Sequence, residues 1–598
     1  MGLFNSIKFF VLCHGMLQLA QLLVSGYLKG SISTIERRYG LSSQKSGVLA
    51  SFNEVGNTVL IVFVSYFGSR LHRPRCIGIG AIIASMAAFL IALPHFISGK
   101  YQYTDDVKSK IPVSNSHANN AVFPILLLGQ LLLGVGGVPI QPFGISYIDD
   151  YANKKNSPFY LGILFALTVI GPALGYLLGS ILLRFYVDFN TMSPEEIVLK
   201  RTDPRWVGAW WLGFLLAGTL LFLTSLPYLF FPRSMITENT VMKSEMGISS
   251  CFSLTEFPHI MLRTLRNPIY LLVVLAQVNL AAMVAGLATF MPKYIERQFS
   301  QTASFSNIMI GGLSIPCAML GIMTGGMILR RFNLSVKASA MLCSGAVLLA
   351  ITFALPLLFL GCPTQNIAGI NPTNSESRYL NCSSTCSCSD EAFNPVCGSD
   401  DVEFRSPCHA GCKTATYGSL NYTDCACVGP AGSRGYAVPG TCGNNCAHLL
   451  VPFMIFSSLT CFLASLSQTP SFMMILRTVT PEDKSFALGI QFMLFRVLAF
   501  LPAPVLYGSA IDSTCILWGK KCKKNTSCQY YNLDYFRQRF LGLQTFFVFG
   551  GLVFFFLSFL VLKRADSARR KRLELMNSSA TNEKQNMKDT KPYKLTIC

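Results

Sequence analysis

Two charged side chains interrupt apolar runs that are long enough to cross a membrane. Glu54 and the nearby Asn57 lie within the run 46–69, and Arg496 lies within the run 485–511. A charge at membrane depth costs about 2.5–3.5 kcal/mol on insertion scales, so it should face protein or water. Arginine stays protonated and can bind a carboxylate or a sulfate through two parallel hydrogen bonds. We therefore predict that Arg496 binds an anion, with an internal ion pair to Glu54 as the alternative. Glu54 and Asn57 are assigned to packing or gating, because an acidic side chain repels an anion.

A histidine and two amides add to these candidates. His95 lies near one end of the third apolar run, Gln141 lies in the fourth and Gln491 in the eleventh. Imidazole titrates between pH 5 and 8, so His95 can bind an anion in acid and release it near neutrality. A histidine that only marks the headgroup boundary is the alternative. We predict that all three side chains contact the anion together with Arg496.

The composition indicates a membrane protein. Of the 598 residues, 51% are hydrophobic and 13% are charged, and the mean hydropathy is +0.44. The formal charge of +20 is explained by positive residues at cytoplasmic helix ends or by a basic pore. Nucleic-acid binding is not expected, because no basic face with interleaved aromatics lies outside the apolar runs. No G-x-x-x-x-G-K-[ST] run and no G-x-S-x-G elbow appears, so we expect neither a nucleotide site nor an enzyme.

Twelve apolar runs predict an all-α polytopic fold of two six-helix halves, as in major facilitator transporters. The runs are 7–29, 46–69, 75–97, 121–148, 157–187, 205–231, 267–291, 304–330, 337–361, 447–468, 485–511 and 538–562. An even number of spans puts both termini on one side, and the basic tail places that side in the cytosol. The predicted regions are a first half at 1–231, a cytosolic linker at 232–266, spans seven to nine at 267–361, an extracellular loop at 362–446, the last three spans at 447–562 and a cytosolic tail at 563–598.

Cysteines crowd the two loops that this topology puts outside the cell. They are Cys362, Cys382, Cys386, Cys388, Cys397, Cys408, Cys412, Cys425, Cys427, Cys442 and Cys446 in the first loop, and Cys515, Cys522 and Cys528 in the second. An even number permits full pairing in an oxidising compartment, although the sequence leaves the connectivity open. Sequons at Asn381, Asn421 and Asn525 are predicted to be glycosylated on the same side. Zinc is the competing interpretation, but the spacings give no paired C-x-x-C knuckles, so no metal is expected.

Tryptophans cluster in the middle of the chain. Trp206, Trp210 and Trp211 follow Asp203 and Arg205 at the start of the sixth apolar run. Indole rings settle where apolar chain meets hydrated headgroups. We interpret this stretch as the mouth of a membrane-spanning helix, in which the small residues of the Gly-Ala-Trp-Trp grouping let a neighbouring helix pack closely.

Three groups of residues carry a resemblance to known families. The string DPRWVGAWWLGFL at 203–215 resembles the signature of the organic anion transporting polypeptide family. The strings SFNEVGN at 51–57 and VPIQPFG at 138–144 are similar to subfamily 2B of that family. The strings NPVCGSD at 394–400 and SPCHAGC at 406–412 resemble a Kazal domain. A cell-surface receptor or protease-inhibitor scaffold that displays this Kazal-like module is the alternative function, but it needs far fewer helices.

The resemblance implies sodium-independent transport of amphipathic organic anions across the plasma membrane. Its usual substrates are steroid sulfates such as estrone sulfate, bile acids, thyroid hormones, prostaglandins and anionic drugs. It implies exchange against bicarbonate or a similar counter-anion, stimulation by acidic external pH and no other cofactor. His95 and Arg496 match anion-contacting positions of the family, whereas Val548 stands where related members often place a lysine. Membrane lipids and a cytosolic scaffold protein at the C-terminal tail are the other expected partners.

Overall fold

The computed structural model describes the chain outside a set of short segments and loops. These are residues 1–2, 68–71, 102–115, 153–156, 193–200, 202, 204, 234, 236–261, 333, 365–366, 369–387, 389–392, 416–420, 430–433, 443–445, 480–483, 522–523 and 590–598. Asn381, Cys382, Cys386 and Cys522 therefore lie outside the described residues, as does most of the predicted linker 232–266.

Long apolar helices make up most of the described chain. The α-helices are α1 (Ile7–Tyr39), α2 (Ser43–Phe67), α3 (Arg73–Ile97), α4 (Ser116–Gly137), α5 (Ile140–Tyr151), α6 (Ser157–Leu182), α7 (Trp210–Ser225), α8 (Pro268–Gln298), α9 (Ala303–Met309), α10 (Ile315–Phe332), α11 (Val336–Ala354), α12 (Leu450–Leu466), α13 (Gln468–Thr478), α14 (Lys484–Phe495), α15 (Pro502–Asp512) and α16 (Leu533–Asp589). Within the described residues, ten helical segments are long and apolar enough to cross a membrane. The second and fifth predicted runs are occupied by α2 and α6, which have 25 and 26 residues.

The first helix is longer than the predicted run 7–29. It passes through Lys29 and ends only at Tyr39, where Gly40 takes a left-handed φ of 64° that closes the helix. Glycine takes this conformation without a Cβ penalty. The prediction was wrong at this end because Lys29 lowers the local hydropathy. Hydropathy carries no information about charged side chains that find partners in another helix.

Several spans are interrupted. Val138 and Pro139 separate α4 from α5, in keeping with the missing backbone N–H of proline. Two other spans contain a π-helical turn, at Ile310–Ser314 between α9 and α10 and at Arg496–Phe500 between α14 and α15. Such turns occur frequently at functional sites. The second of them begins at the arginine that the sequence singled out.

The helices form two halves, α1–α7 and α8–α16, each with its own apolar core. The halves meet at the end of the bundle that carries the insert 362–446, which we call the insert end. There the start of α2 lies against α15, where a Cβ on Gly47 would collide with the backbone of Pro504. The carboxylate of Asp512 accepts hydrogen bonds from the backbone N–H of Ser43, at 2.9 Å, and of the next residue, at 2.8 Å. This close backbone packing shuts the insert end.

The opposite end of the bundle, which we call the tail end, is the one from which α16 continues to Asp589. Across the described chain, the helix pairs that pack between the halves are mainly α1 with α8 and α9, α2 with α15, and α6 with α9. One of these contacts is a hydrogen bond between α9 and α1, in which Nδ2 of Asn307 donates to the carbonyl of Gly30 at 3.0 Å. These contacts involve the insert-end portions of the helices.

Regular strands in the described chain are confined to the insert and the last loop. The strands are β1 (Val396–Gly398), β2 (Glu403–Phe404), β3 (Cys412–Ala415), β4 (Tyr422–Cys425), β5 (Gly435–Pro439), β6 (Cys515–Lys521) and β7 (Lys524–Tyr531). The first five form an antiparallel sheet of order β2-β1-β5-β4-β3, and β6 pairs with β7 as a hairpin.

Disulfides hold these small sheets. The pairs are Cys362–Cys446, Cys388–Cys408, Cys397–Cys442, Cys412–Cys425 and Cys515–Cys528. Cys427 is also disulfide-bonded, and its partner lies outside the described residues. The Cys362–Cys446 pair closes the insert at its base, because it joins the two ends of the loop.

Candidate functional site

An ion pair between Glu54 and Arg496 joins the two halves. It lies on the tail-end side of the contacts that close the insert end. The Nε atom of Arg496 lies 3.4 Å from Oε2 of Glu54, and the two side chains are 18% and 22% exposed. Glu54 lies eleven residues below the start of α2, or about 16 Å at 1.5 Å per residue. Arg496 begins the π turn on the facing span. The alternative that the sequence left open, an internal Glu54–Arg496 pair, is therefore present in this structure. Anion binding by Arg496 stays a prediction.

Lys29 of α1, which was not among the predicted site residues, completes this group. Glu54 interacts favourably with both Arg496 and Lys29. Two cations thus face one carboxylate where the halves meet, and the group carries a net positive charge. A signal was present in the sequence, because Lys29 is the charged last residue of the predicted run 7–29. It was lost when the first span was ended at this residue.

The other predicted polar contacts do not gather around this pair. Gln491 is buried within the second half, where its Nε2 donates to Oε1 of Gln277 at 2.6 Å. Gln277 in turn donates to Ser471 at 2.7 Å. Gln141 lies exposed at the start of α5. Asn57 lies one helical turn from Glu54, and its buried Oδ1 accepts no hydrogen bond from the part of the chain that the structure describes.

His95 lies against the tryptophan signature rather than beside Arg496. Its ring stacks on the indole of Trp211 with centroids 4.5 Å apart and planes 7° apart. Phe189 stacks on the same indole at 5.8 Å. The imidazole is only 6% exposed, and its Nδ1 has no hydrogen-bond partner among the described residues. The histidine and the signature, which the sequence treated separately, therefore form one aromatic cluster at the insert end.

The polar residues of the signature fix a turn before α7. Asp203 and Arg205 form a two-pronged ion pair, with Nε to Oδ1 at 3.1 Å and Nη2 to Oδ2 at 2.9 Å. Both side chains are less than a tenth exposed. The stretch that follows pairs with the chain after α6 through a β-bridge between Tyr186 and Gly208. A Cβ on Gly208 would lie 2.5 Å from the carbonyl oxygen of Leu183, so glycine is required for this approach.

The tryptophans pack against protein at the start of α7, where the sequence predicted the mouth of a membrane-spanning helix. Trp210 is fully buried and Trp211 is 5% exposed. The indole N–H groups of Trp206 and Trp211 donate to the carbonyls of Leu183, at 3.1 Å, and Val187, at 2.9 Å. The helix α7 begins only at Trp210. The indoles therefore bond the chain after α6, a partner that hydropathy cannot reveal.

Two further ion pairs close the insert end between α1 and α8. The ammonium group of Lys293 bonds the carboxylate of Glu36, and both side chains are 4% exposed. Arg37 Nη2 lies 2.7 Å from Oε2 of Glu296, whose Oε1 accepts from the hydroxyl of Ser33 at 2.6 Å. Buried charges are tolerated when they are paired and hydrogen-bonded. These pairs explain how α1 continues through charged residues.

Comparison with known proteins identifies the family. The model of the Organic Anion Transporter Polypeptide (OATP) family matches residues 9–536. The chain belongs to this family. Human solute carrier organic anion transporter family member 2B1 is 46% identical over 95% of this chain and 90% of that protein. The rat member 2B1 is 47% identical over 94% and 92%, and the human member 1C1 is 34% identical over 90% and 85%. The resemblance inferred from the signature strings is confirmed.

Solved structures confirm the fold of this OATP chain. A bacterial homologue of the human lysosomal transporter Spinster, inward-facing and unoccupied, aligns with a TM-score of 0.60 at 13% identity, over 92% of this chain and 97% of that one. A D-xylose–proton symporter aligns with a TM-score of 0.52 at 10% identity, over 92% and 97%. At these identities the likeness shows the fold alone. The predicted all-α, major facilitator-like architecture is confirmed. Membership of the family shows that the OATP chain is a multi-pass membrane transporter rather than an enzyme.

The remaining predicted sites are distributed over the OATP chain as follows. Asn421 lies next to β4 of the insert and Asn525 lies in β7. Val548, which the resemblance placed at a position where a lysine was expected, is fully buried in the core of the second half. Within the described residues, no cluster of three or more His, Cys, Asp or Glu could hold a metal ion.

Proposed function

We propose that this OATP chain carries amphipathic organic anions across the plasma membrane by alternating access, without sodium. The proposed substrates are steroid sulfates such as estrone sulfate, bile acids, thyroid hormones, prostaglandins and anionic drugs. Family membership and relatives described as organic anion transporters support the class of substrate. The major facilitator-like fold supports a mechanism in which two halves move against each other.

The observation that carries the mechanism is the Glu54–Arg496 pair between the halves. A sulfate or carboxylate presents the same oxygen atoms to a guanidinium as Glu54 does. An organic anion therefore competes with Glu54 for Arg496, and its binding removes a bond between the halves. Lys29 compensates in part, because its charge attracts the carboxylate that Arg496 releases. Occupancy by the substrate is in this way coupled to the packing of the halves.

Uptake of labelled estrone sulfate into expressing cells tests this proposal. Arg496→Ala at normal surface density should lower kcat/KM by at least tenfold, since a charge-assisted hydrogen bond contributes about 1.5–3 kcal/mol. Arg496→Lys should weaken uptake less, because it keeps the charge and loses the planar fork. Glu54→Gln should retain transport and lower KM, because it removes the competitor for Arg496. If Glu54→Gln and Arg496→Ala lose transport equally, the pair is only structural and the anion role of Arg496 is wrong.

We also propose that uptake is exchange against bicarbonate and that acidic external pH stimulates it. A small counter-anion can occupy the same guanidinium on the return step, when the organic anion has left. His95 is the proposed acid sensor, because a protonated imidazole beside Trp211 adds positive charge to the outer part of the protein. His95→Gln keeps the size and polarity and removes the titration. If it retains full stimulation between pH 7.4 and about 5.5 at equal surface density, a proton or bicarbonate gradient is the cause instead.

The proposed orientation places both termini in the cytosol and the insert outside the cell. Disulfides in the insert and the basic tail support it. An epitope in the insert should bind antibody on intact cells, and an epitope at the tail only after permeabilisation. The helical tail that follows the last span is the proposed attachment point for a cytosolic scaffold. Truncation after Lys563 should then change retention at the surface without changing KM.

A further inference from the structure

A second cavity lies at the insert end, apart from the Glu54–Arg496 pair. Its volume is about 350 Å³, and its walls come from the ends of α1, α6, α8 and α9, the signature turn, the insert and the β6–β7 hairpin. We call it the outer cavity. Arg37 and Glu296 line it, so the ion pair that closes the insert end forms part of its wall. The size is within the range of small-molecule sites.

The charged walls of the outer cavity are predominantly cationic. Its described lining includes two acids, and both are neutralised: Glu296 by Arg37 at 2.7 Å, and Asp203 by Arg205 outside the lining. Three further cations line it: Arg184, Arg201 and Arg297. Within the part of the chain that the structure describes, none of these three forms an ion pair.

The positions of the three arginines suit a bound anion. Arg297 is repelled by Arg37 and attracted by Tyr531, Glu296 and Glu36. Because the two carboxylates already pair with Arg37 and Lys293, an anion beside Arg297 would add an attraction that these acids do not supply in full. The guanidinium of Arg297 lies 5.8 Å from the ring of Tyr531. Arg184 is held in place, because its Nε donates to the hydroxyl of Ser304 at 3.0 Å. Arg201 is exposed at the rim, where it is free to meet an anion that arrives from solvent.

Apolar and aromatic side chains complete the walls. They are Leu183, Trp206, Phe305, Ile308, Phe393 and Tyr530. Arginine beside aromatic faces is a favourable environment for a ligand with an apolar body and an anionic head. A hydrated inorganic ion would leave these walls without a partner. The combination therefore selects for amphipathic anions.

We propose that the outer cavity is a binding site for amphipathic organic anions, separate from the site at Arg496 and occupied while the insert end is closed. The anionic head lies between Arg201 and Arg297, and the apolar body lies against Trp206 and Tyr530. An anion that reaches Arg37 replaces Glu296 as its partner, which biases the insert end toward opening. The proposal rests on the proposed function, since it takes the same class of substrate.

Transport kinetics give the first test. Arg201→Gln, Arg297→Gln and the double variant are compared with Lys413→Gln, which removes the same charge from an exposed strand of the insert outside the lining. The double variant should raise KM for estrone sulfate about tenfold with little change in the maximal rate, and Lys413→Gln should change neither. Arg201 is exposed, so the single variant should reach the surface normally and raise KM by itself. An unchanged KM in both Arg201→Gln and the double variant would overturn the proposal.

Direct binding separates the two sites. Purified full-length Arg496→Ala protein should still bind radiolabelled estrone sulfate, and the added Arg297→Gln change should remove that binding, whereas added Lys413→Gln should not. Equal residual binding in all three proteins would also overturn the proposal. Wild-type protein without saturable uptake refutes the proposed function, but the binding measurement still decides whether the outer cavity holds an anion. If the wild-type protein transports estrone sulfate but Arg297→Gln leaves the residual binding of Arg496→Ala protein unchanged, the binding role of the outer cavity is refuted and the proposed function stands.

Discussion

We predict that a buried glutamate in the insert makes the stability of the insert sensitive to pH. Glu403 of β2 is fully buried. Its Oε1 accepts from the hydroxyl of Tyr530 at 2.5 Å, and its Oε2 accepts from the backbone N–H of Cys442 at 3.4 Å. Burial raises the pKa of this carboxyl to about 7, although both hydrogen bonds oppose the shift. Arg297 and Arg405 are the charged groups that act on Tyr530 from outside. The contact joins the insert to the hairpin that lines the outer cavity.

The sign and size of the effect follow from the pKa. The folded value is about 7, above an ordinary value near 4.5, so the neutral form is favoured in the folded insert. The stabilisation is complete below about pH 4.5 and is lost as the pH rises through about 7. Between pH 5.5 and 7.5 the free energy of unfolding of the insert should fall by about 2 kcal/mol, which is a factor of roughly thirty in the opening equilibrium.

Hydrogen exchange of the full-length protein measures this directly. Protection of β1 and β5, corrected for the intrinsic pH dependence of exchange, should be about thirtyfold higher at pH 5.5 than at pH 7.5. Glu403→Gln imitates the neutral acid, so its protection should be high at both pH values. Asp401→Asn is the matched control, because it makes the same change on an exposed turn residue and should keep the wild-type pH dependence. A wild-type insert with equal protection at both pH values, or a Glu403→Gln variant with the wild-type dependence, refutes this reasoning.

Two further predictions concern the packing between helices. Gly213→Ala should prevent surface delivery, because its Cβ would lie only 2.0 Å from Cζ of Tyr27. Gly312→Ala should have little effect, since no atom lies within 4 Å of the added carbon. Surface biotinylation distinguishes the two variants. Lys293→Met leaves Glu36 buried without its partner and should cost about 3–5 kcal/mol, seen as a lower unfolding temperature in detergent. Changing Glu36 to Leu in that variant should recover most of the loss, and a double variant as unstable as the single one would contradict the explanation.

The parts of the fold that depend on local apolar pattern were predictable from the sequence. The runs 337–361 and 75–97 correspond closely to Val336–Leu358 and Arg73–Ile97. The end of α1 was not predictable, because the charges at Glu36 and Arg37 are compensated by residues more than 250 positions away. Hydropathy records that a charged residue is unfavourable in a membrane, but it does not show which distant residue pairs with that charge.

The candidate site also has a part that the sequence predicted and a part that it did not. The sequence singled out Glu54 and Arg496 as costly charges at membrane depth, and the structure brings them together. It also predicted Gln491 as an anion contact, but that amide is engaged with Gln277 in the second half. An amide serves equally well in packing and in binding, so its residue type alone does not separate the two roles. A buried arginine narrows the choice, because it needs an anion in either role.

The two ion pairs at the insert end differ in a way that suits a seal that must also open. Lys293 and Glu36 are both 4% exposed, whereas Arg37 and Glu296, at 17% and 5%, line the outer cavity. Removing one partner from a buried pair is costly, but separating both partners into water returns much of the lost solvation. Loss of one partner from such a pair therefore destabilises the closed insert end strongly. Opening costs little free energy when both partners of the pair become hydrated together. Arg37 is the most exposed of these four residues. An anion in the outer cavity therefore reaches the Arg37–Glu296 pair before the Lys293–Glu36 pair, and opening of the insert end should begin at Arg37.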